Sequence, residues 1–178
     1  VYGIDMLIDA FAQVHKMWDG SQPLRLRIVG NGSKREALEA RVRDCGIADI
    51  TTFVGRVPHH EVPRELSKLD IYAALSHRES FGVAVLEASA CECPVVVTRV
   101  GGLPEVVQDG ETGLIVPSDD LASAVEAIDS LARSPELRAD MGRAGRAFVT
   151  SEYLWARSVD RMEEVYQSVV GKTFPDTG

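Results

Sequence analysis

Two hydrophobic periods alternate along the chain. Short apolar, β-branched runs stand at residues 24–30 (LRLRIVG), 50–55 (ITTFVG), 70–76 (DIYAALS), 94–98 (PVVVT) and 113–117 (GLIVP). Runs of this length bounded by glycine and polar residues predict strands. Between them, apolar positions recur every three or four residues. In GIDMLIDAFAQVHKMW, for example, Ile4, Leu7, Ile8, Phe11 and Val14 fall on one helical face. SKREALEARVRDCG reads as a helix with a capping box, Ser33 with Glu36, and a terminal glycine, Gly46. Further helices fit HEVPRELSKL, FGVAVLEASAC and, after residue 118, three segments with no strand between them over 120–134, 135–150 and 151–170. The alternation predicts βαβ units and a parallel sheet covered on both faces. The expected fold class is α/β: a Rossmann-like, doubly wound parallel sheet with a helical C-terminal cap. The domain spans residues 1–170, residues 171–178 (GKTFPDTG) form a flexible tail, and ligands belong at the carboxyl ends of the strands.

Composition narrows the partners. With 178 residues, 45% of them hydrophobic, the chain can bury an ordinary single-domain core. A net charge of -8 argues against nucleic acid and anionic membrane surfaces, both polyanions. No apolar run is long enough for a transmembrane segment. Cys45, Cys91 and Cys93 make an odd count with an i, i+2 pair, which fits a reducing, cytoplasmic compartment and plain thiols; no second cysteine pair or histidine pair completes a metal site. The chain opens on Val1 rather than methionine, which reads as a piece of a longer protein.

Three loops at strand ends carry unusual residues. GNGS, with Gly30 and Gly32, could bring backbone amides to a phosphate or be only a tight strand–helix turn. In GRVPHH, Arg56 faces either an anion or solvent, and His59 and His60 fit exposed residues ahead of a helix. In SHRESFGVAVLE, Glu79 falls in the crossover loop and the helix starts near Phe81 or Gly82. The amides of Phe81, Gly82 and Val83 then make an anion-binding end. Glu87 lies about five residues further, roughly 8 Å along the axis at 1.5 Å per residue. That suits a nucleotide-sugar diphosphate held by its sugar at Glu79 and its ribose at Glu87. The same two carboxylates also suit dipole compensation plus a solvated side chain. Gly101-Gly102 could add donors at the neighbouring strand end, and QDGETG reads as a turn into an edge strand.

The pattern E-S-F-G-V-A-V-L-E followed by ACECPVVVTRVGGLPEVVQDGETGLIVP resembles the C-terminal donor-binding domain of retaining GT-B glycosyltransferases of group 1 (family 4). The likeness runs from GIDMLIDAF through LRIVGNG and FVGRVPHHEVP to the final helices. It implies transfer of a sugar, with retention, from a nucleotide-diphosphate sugar, UDP- or GDP-linked, to a glycan, lipid or small-molecule acceptor. Glu79 then matches the catalytic-site glutamate near the reacting carbon. Phe81, Gly82 and Val83 match the backbone positions that meet sugar hydroxyls and phosphate, and Glu87 matches the ribose-binding glutamate. Arg56 and Val57 match the loop facing the base, and Gly30 and Gly32 the neighbouring glycine turn. No cofactor other than the donor substrate is implied, and no metal.

Two departures stand out. Glu92 replaces a usual glycine at a helix C-terminus. At the start only VYG remains, with Tyr2 where a lysine is expected, so a first, central strand, a basic phosphate-neutralising pair and the acceptor-binding N-terminal domain are expected to be missing. Through that domain the protein would be cytoplasmic and peripheral to the inner membrane. Weak donor binding and no turnover are expected of these 178 residues alone. Two other classes remain open: a sugar-nucleotide epimerase-type GT-B enzyme, for which no acid/base set is visible, and a non-catalytic α/β nucleotide-binding module.

Overall fold

The computed structural model describes residues 3–20 and 22–170, so Tyr2 and the tail expected at 171–178 lie outside the described residues. Helix and strand alternate as the two periods require. The order is α1 (Ile4–Met17), β1 (Leu26–Val29), α2 (Arg35–Asp44), β2 (Thr51–Gly55), α3 (Val62–Leu66), β3 (Tyr72–Ala74), α4 (Val83–Ala90), β4 (Val95–Thr98), α5 (Leu103–Val106), β5 (Gly113–Val116), α6 (Leu121–Arg133), α7 (Pro135–Glu152) and α8 (Trp155–Val170). The last three are the expected helical cap.

The strands are all parallel but form two sheets, β1–β2 and β3–β4–β5. β4 is central to its sheet, and Val95–Thr98 are all fully buried. A strand covered on both faces reads as an unbroken apolar run, which explains PVVVT. Its alternate residues feed different layers. Val96 packs under α1 and α6 with Leu75, Ala124, Ile128 and Leu131, while Val95 and Val97 pack under α4 and α5 with Val85, Ala88 and Leu103. Each such buried aliphatic side chain contributes about 1.5–3 kcal/mol.

α1 joins the two sheets. Met6, Ala10 and Val14 enter the core of the three-stranded sheet, while Ile8 and Phe11 pack with Leu26, Val42 and Ile47 against β1 and α2. Between β1 and β3 lies a cleft of about 740 Å³, lined by Leu26, Ile28, Tyr72 and Ala73, with Leu7 and Phe11 at its wall. No strand among the described residues fills it. Arg27 and Glu65 also line the cleft and bond each other, Nε to Oε2, at 2.8 Å, and Lys68 pairs with the same carboxylate. Both cations hold the Glu65 carboxyl below its usual range, Lys68 more than Arg27.

The capping box expected at Ser33 does not form. α2 starts at Arg35 with Lys34 in the cap position and no side-chain cap. The terminal glycine does what was expected of it: Gly46 has φ 71 and Ile47 N–H donates back to the Val42 carbonyl at 3.1 Å. Caps form instead further on, where Asp120 accepts from Ser123 N–H at 3.0 Å and Ser134 from Leu137 N–H at 3.2 Å.

Candidate functional site

The crossover from β3 to α4 is fixed at both ends. The Thr98 hydroxyl donates to the Ser76 carbonyl at 2.6 Å, tying the mouth of β3 to that of β4. At the far end Gly82 caps α4 with φ 100, a left-handed conformation open to glycine, and its carbonyl accepts from Val85 and Leu86 at 2.9 and 3.2 Å. A Cβ at Gly82 would meet Leu103 Cδ2 at 2.8 Å. No side chain caps α4, so its leading amides stand ready for an external acceptor. The expected helix start is thus met to within a residue.

The loop lies on the next strand's exit. A Cβ on Gly101 would sit 1.6 Å from the Glu79 carbonyl oxygen, and one on Gly102 would sit 2.7 Å from the Ser80 carbonyl oxygen. Backbone therefore packs on backbone, and the GG pair serves contact between the two loops. The Glu79 carboxylate accepts from its neighbour Ser80 N–H at 2.9 Å and is half-buried. Phe81 and Val83 are exposed, Phe81 at 39%.

Glu87 is one-third exposed and faces the cleft, with His59 Nδ1 at 3.9 Å from its Oε1. His59 stands in a short 3-10 turn after β2 and is almost fully exposed. Tyr72 of β3 lines the same cleft as Glu87. Burial first, then the charges of Glu87 and Glu79, push its hydroxyl up to about 12. Neither residue stood out in the sequence beyond an ordinary strand tyrosine and an exposed histidine. Their approach to Glu87 depends on tertiary packing of α3 and β3 against α4, and no local spacing encodes it.

The glycine turns are brought together too. Gly30, at φ 124, donates its N–H to the Gly55 carbonyl at 2.8 Å, so GNGS and the start of GRVPHH form one rim. Gly32 N–H bonds the Asn31 side chain at 3.0 Å and its carbonyl accepts from Arg35. Neither Gly30 nor Gly32 has an atom within 4 Å of a built Cβ, so this rim is open. Arg56 is exposed and no ion pair involves it among the described residues; Val57 is half-buried. The rim is connected to the Glu79–Glu87 segment through His59.

Cys91 caps the end of α4, its N–H donating to the Glu87 carbonyl at 3.2 Å. Cys93 is buried against the Leu69 carbonyl, and burial pushes its thiol up to about 12. Among the described residues, no three His, Cys, Asp or Glu side chains are grouped to hold a metal ion. Nor is any described helix long and apolar enough to cross a membrane.

Comparison with known proteins fits this arrangement. Residues 1–148 match the family model described as glycosyl transferases group 1. The GDP-mannose-dependent alpha-(1-6)-phosphatidylinositol monomannoside mannosyltransferase of Mycolicibacterium smegmatis is 34% identical over 170 residues, covering 92% of this chain and 44% of that protein. The D-inositol 3-phosphate glycosyltransferase of Saccharomonospora viridis is 32% identical over 172 residues, 93% of this chain and 40% of its own length. Among solved structures, sucrose-phosphate synthase from Thermosynechococcus elongatus superposes with TM-score 0.84 at 29% identity, over 97% of this chain and 43% of that one. The chain thus spans less than half the length of these relatives.

Proposed function

The chain belongs to the glycosyl transferases of group 1, and on that premise we propose that it is the donor-binding part of a retaining transferase of the GT-B type. The observation that carries the reading is the uncapped head of α4 held between two half-buried glutamates, Glu79 in the preceding loop and Glu87 one turn in. The donor is a nucleoside diphosphate sugar, GDP- or UDP-linked; the GDP-mannose dependence in the name of one relative supports that class.

In this reading the diphosphate lies on the amides at the head of α4, where N–H groups and the helix dipole stabilise negative charge. Glu87 accepts from the ribose hydroxyls, as an ionised carboxylate can for a vicinal diol. Glu79 accepts from a sugar hydroxyl near the anomeric carbon. The rim of Gly30, Gly32, Arg56 and Val57 flanks the base. In the transfer step the bond from anomeric carbon to diphosphate oxygen breaks and its electron pair leaves with the diphosphate. An acceptor hydroxyl then bonds the carbon on the same face, and its proton passes to the oxygen of the departing diphosphate. The charge that grows on the leaving diphosphate falls on preset amide donors, the arrangement that favours a transition state over a ground state. No cofactor beyond the donor enters this scheme.

Calorimetric titration with GDP, UDP and ADP tests it. The chain should take up one of the first two, and Glu87→Ala should weaken that uptake at least tenfold, the loss expected when a charged hydrogen-bond partner of about 1.5–3 kcal/mol is removed. Absence of nucleotide binding, or binding indifferent to Glu87→Ala, would overturn the reading.

A further inference from the structure

One residue remote in sequence touches three parts of the site. Tyr153 stands just past the end of α7, its N–H donating to the Val149 carbonyl at 2.9 Å. Its ring meets Phe81 edge-on, with centroids 5.9 Å apart at 65°, and meets Phe148 of α7 in the same manner at 5.7 Å and 71°. Its hydroxyl donates to the Glu105 carbonyl in α5 at 2.9 Å. α5 is the element that packs beneath Gly82 through Leu103 and Val106.

We propose that Tyr153 is a positioning residue for the Glu79–Gly82 loop, acting through Phe81 and through the Glu105 carbonyl. The proposal rests on the reading of Glu79 and Glu87 as the donor grip. The loop packs on Gly101 and Gly102 and has few side chains of its own to fix it: Gly82 is bare, Ser80 is exposed and Phe81 is partly exposed. A bare backbone adopts the conformation its surroundings impose. Gly101 and Gly102 limit the loop from one side but, lacking side chains, hold nothing laterally. The Phe81 ring is the loop's single large side chain, and an aromatic edge against it fixes the register of the backbone that carries it. The Tyr153 hydroxyl meanwhile fixes the α5 end, so loop and support move together. Two features of the junction strengthen the clamp. Arg157 donates to the Ser151 carbonyl at 2.6 Å and Arg161 to Glu152 at 2.9 Å, so α8 braces the turn that carries Tyr153.

The test compares the parent chain with Tyr153→Ala, Tyr153→Phe and Met141→Ala. Met141 is buried in α7 away from the loop, so its truncation lowers stability without touching Phe81. Each protein is titrated with GDP and UDP, its melting temperature recorded, and the amide exchange of Val85 and Leu86 followed, since both donate to the Gly82 carbonyl. Tyr153→Ala should weaken nucleotide binding about three- to tenfold, the range that an edge-to-face pair commands. It should also speed exchange at Val85 and Leu86 while Val96 and Val97 of β4 exchange as in the parent. Tyr153→Phe, which keeps the ring but loses the bond to the Glu105 carbonyl, should show a smaller loss of both than Tyr153→Ala, and Met141→Ala should lower the melting temperature and change neither. The proposal is overturned if Tyr153→Ala binds and exchanges like the parent, or if Met141→Ala loses as much affinity. Should the parent bind no nucleotide, the donor reading fails, and exchange at Val85 and Leu86 alone decides: unaltered exchange in Tyr153→Ala overturns the positioning role.

Discussion

Replacing Gly101 by alanine should dislodge Glu79, and the size of the effect follows from two separable terms. At φ +51 an alanine pays for a left-handed backbone, about 1 kcal/mol. The second term is collision. The new Cβ would lie 1.6 Å from the Glu79 carbonyl oxygen, a backbone atom that cannot rotate away. Close C···O contacts in proteins lie at about 3.3 Å, so the Glu79 peptide must retreat by roughly 1.7 Å. Overpacking of this kind costs typically ~1–3 kcal/mol more. The total of about 2–4 kcal/mol corresponds to a fall of roughly 4–16 °C in melting temperature for a domain of this size. The displacement should also cost about 100-fold in anything that depends on the Glu79 position, since misplacement by an ångström is enough for that. Gly110→Ala supplies the control. Its φ is +80 and no atom lies within 4 Å of the added Cβ, so it carries strain without collision. Differential scanning calorimetry and titration of both variants with GDP- and UDP-linked sugars, whose sugar hydroxyl is the group assigned to Glu79, read the two terms apart. The reasoning is refuted if Gly101→Ala melts with Gly110→Ala and binds as the parent does.

Three other outcomes are expected. Glu92 holds φ 59 against Gly142, where glycine suits the backbone better, and its ion pair with Arg146 at 3.3 Å is exposed and worth little; Glu92→Gly should therefore raise stability by about 0.5–1 kcal/mol in urea unfolding. Asp120→Ala should lower it by about 1 kcal/mol, because the side chain caps α6 through Ser123, and Asp120→Ser should restore most of it. The third concerns alkaline pH. Tyr72 and Cys93 both have folded pKa values raised to about 12, so each contributes in full below its unfolded value, near 10 and 9, and loses the contribution as pH rises toward 12. Stability measured by denaturant should fall between pH 9 and 12, and the fall should be shallower in Tyr72→Phe.

Most of the architecture was legible because burial imposes a period. PVVVT reads as a buried strand, and the three-four spacing in GIDMLIDAF as a helix facing a core. The Glu79 to Glu87 segment was legible for the same reason: one glycine marks the turn and the helix begins beside it. Less was legible where the deciding atoms are far apart in sequence. Ser33 has the composition of a cap, yet the chain enters α2 one residue past it and Lys34 takes the position. The role of Gly101 emerges only when the Glu79 carbonyl is seen against it, and Tyr153 reaches Phe81 across 72 positions of sequence. The division into two sheets follows from hydrogen-bond pairing, which a hydrophobic pattern does not encode.

The cleft between β1 and β3 has a consequence for behaviour in concentrated solution. A strand edge with unpaired N–H and C=O groups is a template for another chain, and long apolar edges invite self-association. Here the edge of β1 carries Arg27, whose guanidinium is tethered to Glu65, and Lys68 stands beside them. Charges set against an open edge oppose the entry of a foreign apolar strand, because that strand would have to cover them. On that ground Arg27, Glu65 and Lys68 are expected to disfavour the pairing of a second chain along β1. Their neutralisation should set the onset of aggregation more strongly than it sets the stability of the folded chain.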